Sequence, residues 1–69
     1  MTLTIKQIKI GNKYIEISQD KYSSAYKVTL SHSYSDDNDL CYIDNQNIYS
    51  TLKAANNRFN YLKRMIQKG

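Results

Sequence analysis

From Ser50 to Gly69 the chain carries five cations, Lys53, Arg58, Lys63, Arg64 and Lys68, and no acid. Lysine and arginine can contact carboxylates or phosphates, Asn57 and Asn60 can reach sugars or bases, and Tyr61 offers a ring for stacking. The opposite charge lies upstream. Ser35 to Asp44 holds Asp36, Asp37, Asp39 and Asp44 and no cation, so the sequence is a charge dipole. Its net charge of +4 suits an acidic protein surface or nucleic acid.

Covalent catalysis needs a base within hydrogen-bond reach of a nucleophile, with an orienting group behind it. The chain has one histidine, His32, and one cysteine, Cys41. His32 alternates inward with Val28 and Leu30 and reads as a histidine at the edge of the core. Cys41 sits in a short apolar run and reads as a small hydrophobe. No catalytic residue is assigned, and the chain is not expected to be an enzyme. The aspartates do not make an EF-hand loop, since Asp36, Asn38 and Leu40 break the alternation of oxygen ligands and neither the glycine nor the distal glutamate follows. A Cys/His zinc site lacks ligands. A phosphate-cradling loop is excluded in a chain with two glycines. Neither a metal nor a cofactor is expected.

Short elements must position these side chains. Gly11-Asn12 lies between two alternating runs and suits a two-residue hairpin turn with glycine first. Closing it there places Ile10 opposite Lys13 and Ile8 opposite Ile15, so Ile8, Ile10, Ile15 and Ile17 share one face. Leu3 and Ile5 are out of phase, which calls for a bulge near Lys6-Gln7 or a strand that crosses over. Asp20 to Ser24 reads as a loop. A strand follows, with Tyr26, Val28, Leu30, His32 and Tyr34 on one side and Lys27, Thr29, Ser31 and Ser33 on the other. Ser35 to Asp39 is a polar connection, and Leu40 to Ile43 a short fourth strand of ambiguous facing. Leu52, Ala55, Phe59, Leu62 and Ile66 then recur at spacings of 3, 4, 3 and 4, one apolar stripe of a helix. Ser50 is the expected N-cap. The fold class predicted is α+β: a small antiparallel sheet of about four strands, a meander of hairpins, packed on one C-terminal helix (ββββα).

This arrangement leaves two surfaces for a partner. Around the helix, away from the stripe, lie Lys53, Asn57, Arg58, Asn60, Tyr61, Arg64, Met65 and Lys68. A helix facing water is polar in any case, and cations near its C-terminus suit its dipole. Solvated helices nevertheless mix the signs to gain i,i+4 pairs, and twenty residues without an acid favour a partner surface made of Lys53, Asn57, Arg58, Tyr61, Arg64, Met65 and Lys68. The uncovered sheet face, with Lys9, Tyr14, Glu16, Lys27, Thr29 and Ser31, is the secondary candidate through Lys9, Tyr14 and Lys27. A platform for single strands needs several aromatic faces in a positive groove. Here Tyr14 is one ring and Glu16 stands beside it, while an antiparallel sheet with one wet face explains these residues equally well.

The 69 residues form one domain, 1–69, with a thin core. Disulfide and metal staples are missing, which raises the expectation of a homodimer. A lone thiol suits a reducing compartment. MTLTIKQIKI lacks the apolar run of an export signal, and no stretch approaches the ~20 apolar residues of a membrane span. The expected address is the cytoplasm of a bacterial cell or phage host, with no membrane partner. Usage leans to Ile, Lys, Asn and Tyr, with seven tyrosines and no tryptophan or proline, a low-GC coding bias.

The order of strands and terminal helix, with an Ile10-Gly11 turn followed by Tyr14, resembles the positive-cofactor-four coactivator family. That resemblance implies a small dimer binding single-stranded DNA, but no binding motif transfers residue by residue. In size and composition the chain also resembles small AT-biased proteins of phages and plasmids, some of which inhibit host defence nucleases. The favoured expectation is a non-enzymatic inhibitor or adaptor that engages an acidic surface of a nucleic-acid-handling protein or complex through the helix. The alternatives are a homodimer binding nucleic acid directly and without sequence preference, and a structural or assembly subunit.

Overall fold

A computed structural model of the chain describes residues 2–33 and 41–68. Four strands, β1 (Thr2–Ile10), β2 (Lys13–Asp20), β3 (Tyr26–Ser33) and β4 (Cys41–Tyr49), precede one helix, α1 (Leu52–Lys68). The strands form a single antiparallel sheet in the order β1-β2-β3-β4. This is the ββββα arrangement expected from the pattern.

The β1–β2 hairpin closes at Gly11, whose φ of 61° is the left-handed conformation that glycine adopts without a steric penalty. The turn sets the register: Ile10 opposes Lys13 and Ile8 opposes Ile15. Asn12 pins the turn to the end of β3, because its carbonyl accepts the Ser33 N–H at 2.8 Å and its amide donates to the Ser33 carbonyl at 3.5 Å. The mismatch of Leu3 and Ile5 is absorbed by a register shift between Thr4 and Lys6. It lies slightly upstream of the predicted Lys6-Gln7, and β1 remains in the sheet without crossing over.

β2 continues through Asp20 and β3 begins at Tyr26, so the loop keeps the predicted length but lies one residue later than Asp20 to Ser24. Asp20 Oδ1 accepts the Tyr22 N–H at 3.1 Å and Ser23 Oγ accepts the Ala25 N–H at 3.1 Å, side-chain bonds that take over once the ladder ends. In β3 Tyr26, Val28 and Leu30 pack on the core as predicted, whereas Ser33, expected on the uncovered side, is buried, where Asn12 of the hairpin turn bonds it. The expected positions of Tyr34, of the 35–39 connection and of Leu40 lie outside the described residues.

The fourth strand corrects the prediction. It runs nine residues to Tyr49, not to Ile43, and takes in the polar run Asp44-Asn45-Gln46-Asn47. A register shift between Leu30 and Ser31 leaves Asp44 without a ladder partner and settles the facing. Tyr42 opposes His32 on the side of the helix, and Ile43 opposes Ser31 on the other.

α1 lies on β2, β3 and β4. Its stripe buries Ala55, Phe59 and Leu62 against Ile15, Ile17 and Val28, with Ile8, Tyr26, Leu30, Tyr49 and Ile66 packed around them. Leu52, the first residue of the stripe, stays exposed at the helix start. The N-cap is Thr51 and not Ser50: Thr51 Oγ1 accepts the Ala54 N–H at 3.2 Å, and the Thr51 carbonyl accepts the first helical bond from Ala55 N. The longer β4 accounts for the shift, since Tyr49 is still in the ladder and Ser50 makes the bend.

Candidate functional site

The register of the stripe fixes where the other helical side chains point. Turning ~100° per residue, Met65 and Tyr61 follow Arg58 round one flank, and Arg64, Lys53 and Asn57 occupy the outer face, with Lys68 beside them. Tyr61 is 46% and Met65 53% exposed, an apolar centre in a cationic surround. Arg58 departs from the sequence reading. It is half-buried at the flank, its guanidinium lies 5.2 Å from the Tyr61 ring centre, and its Nε is buried without a hydrogen-bond partner. The i,i+3 spacing makes that stacking possible, and it holds the tyrosine ring in place.

Two depressions follow from this surface. Asn57, Asn60, Lys63, Arg64 and Gln67 line one on the outer face. Tyr61, Arg64, Met65 and Lys68 line a smaller one of about 220 Å³ along the flank. Among the described residues no lysine or arginine makes an ion pair. No acid among the described residues therefore neutralises the cations of α1.

The secondary candidate residues are less well gathered. Lys9 and Tyr14 are ladder partners, with the Lys9 ammonium 5.5 Å from the ring centre. Lys27 pairs with Ser18, four residues further along β2 and so roughly 13 Å away. Glu16 accepts a hydrogen bond from Thr4 Oγ1 at 3.2 Å. The remaining feature of that face is apolar: Ile43 is 62% and Ile48 70% exposed on the outermost strand.

One cluster was not foreseen. His32 Nδ1 and Asp44 Oδ2 are 2.7 Å apart, and His32 stacks on Tyr42 with ring centres 5.8 Å apart. The aspartate reaches the imidazole because the β4 bulge frees it from the ladder, and a pattern of alternating faces does not reveal a bulge inside a polar run. An oriented imidazole is half of a general-base arrangement, yet the ladder pairs Cys41 with Ser33 and not with His32. Among the described residues no three His, Cys, Asp or Glu side chains come together as a metal site. No helix is long and apolar enough to cross a membrane. Compared with known proteins, the chain matches no family model, no curated protein and no solved structure.

Proposed function

We propose that this chain is a non-enzymatic binding module that docks α1 on an acidic surface of a nucleic-acid-handling protein or complex, as an inhibitor or adaptor carried by a mobile element. The observation that carries the reading is the exposed Tyr61–Met65 centre surrounded by arginines and lysines that pair with no acid among the described residues. An aromatic anchor with an arginine at its rim has the make-up of an interface hot spot. An ordinary solvated helix would mix acids among its bases.

Arg64→Glu tests it. Binding to polyglutamate, a stand-in for an acidic surface, should weaken about tenfold or more, while folding stability changes by about 0.5 kcal/mol or less. Tyr14→Ala and Lys27→Glu should leave binding unchanged. Loss of binding in the sheet variants alone would refute the helix reading.

The second reading is a homodimer binding nucleic acid without sequence preference. Ile43 and Ile48 favour it, being apolar surface on a free strand edge that a second copy would cover. Steeply salt-dependent binding to random single-stranded oligonucleotides separates it from the first.

A further inference from the structure

The last two turns of α1 do not close on the hairpin turn beneath them. Between them lies an open groove, a surface cavity of about 470 Å³ lined by Ile10, Leu30, Leu62, Met65 and Ile66, with Lys13 at the Gly11-Asn12 end. The walls come from three different elements, and the turn that forms its floor is fixed to β3 through Asn12 and Ser33. The opening is therefore built into the fold.

Met65 belongs to two surfaces at once. One side of it lines this apolar cavity, and the other lines the depression formed with Tyr61, Arg64 and Lys68. An occupant of one therefore abuts an occupant of the other. Lys13 at one end of the groove and Arg64 and Lys68 beyond Met65 make no ion pair among the described residues.

The geometry points to a partner segment with a large apolar side chain flanked by carboxylates, the apolar group seated between α1 and the hairpin turn and the acids on Arg64, Lys68 and Lys13. This rests on the proposal that α1 engages an acidic protein surface, and it adds what that surface must present. Charge alone would be satisfied by any acidic stretch. The cavity selects those carrying an apolar anchor, by the area it removes from water.

The test compares two labelled peptides by fluorescence anisotropy, octaglutamate and the same peptide with one central phenylalanine. The phenylalanine should tighten binding about tenfold or more. That gain should vanish in Ile10→Trp and in Ile66→Trp, each filling the cavity from a different wall, while octaglutamate binds both variants as before. Methyl chemical shifts of Ile10 and Leu62 in the unaltered protein give a readout that needs no variant, and should move only with the phenylalanine peptide. Equal affinity for the two peptides would overturn the cavity inference and leave the basic-face reading standing. Binding of neither would overturn both. A gain that survives both tryptophan variants, or methyl shifts caused by laurate alone or by raising the protein concentration, would assign the cavity to another occupant and overturn the inference.

Discussion

Phe59→Ala removes the largest fully buried side chain among the described residues. The ring is packed among Ile15, Ile17 and Val28, and the Lys6 ammonium lies 4.6 Å from its centre. Phe→Ala in a core costs about 3–5 kcal/mol. At about 0.05–0.15 kcal/mol per residue, a chain of 69 residues has a total stability of roughly 3.5–10 kcal/mol. One substitution thus takes a third or more of what is there, and at the lower end all of it. In a domain of this size each kcal/mol moves Tm by roughly 4–8 °C, so a fall of about 12 °C or more is expected. Thermal unfolding followed by far-UV circular dichroism measures it, and Phe59→Leu, which keeps most of the apolar volume, should lose much less. An unchanged midpoint in Phe59→Ala would mean that α1 is not packed on the sheet as described.

Gly11→Ala isolates a backbone effect, because an added Cβ would meet nothing within 4 Å. The positive φ alone should cost about 1–2 kcal/mol, with Gly11→Asn milder, both read from the urea midpoint. Thr51→Ala should lose about 0.5–2 kcal/mol by removing the cap, whereas Ser50→Ala should be near neutral; the reverse order would restore Ser50 as the cap. Assays for hydrolase, nuclease and transferase turnover are expected to be blank. Activity that survives repurification and disappears in His32→Ala would contradict the non-enzymatic reading.

The parts of the fold that were legible in the sequence are those where hydrophobic demand and local chemistry agree. Gly11-Asn12 and the flanking isoleucines point to one register, and the helix stripe names Ala55, Phe59 and Leu62 as its buried side. Legibility fails at the rim. Asn45 and Asn47 lie on the helix side of β4 at the sheet's edge, where less cover is required of them, so nothing apolar marks them as strand. Backbone bonding to β3 makes them one. Both bulges shift a face by one residue and appear in the sequence only as a break in phase. The His32–Asp44 contact depends on such a break and was hidden with it. At the candidate surface, composition located the helix face. The groove behind Met65 arises from how closely the helix approaches the hairpin, and the half-burial of Arg58 from its tertiary surroundings, neither of which spacing encodes.

The placement of α1 over β2, β3 and β4 has a consequence for motion. β1 meets the helix layer through only a few side chains, Lys6 against Phe59, Ile8 against the core and Ile10 near Ile66, and is otherwise held by its ladder to β2. Opening β1 alone therefore exposes far less apolar surface than global unfolding, and its free energy of opening should be correspondingly smaller. Native-state hydrogen exchange should rank the chain accordingly. The β1 amides that bond β2 should exchange through a local opening insensitive to low denaturant, while those linking β2 to β3 should wait for the whole domain to unfold. The first strand then behaves as a hinged flap on a three-stranded, helix-backed centre, and its departure would uncover the paired edge of β2 directly beside Ile15 and Ile17.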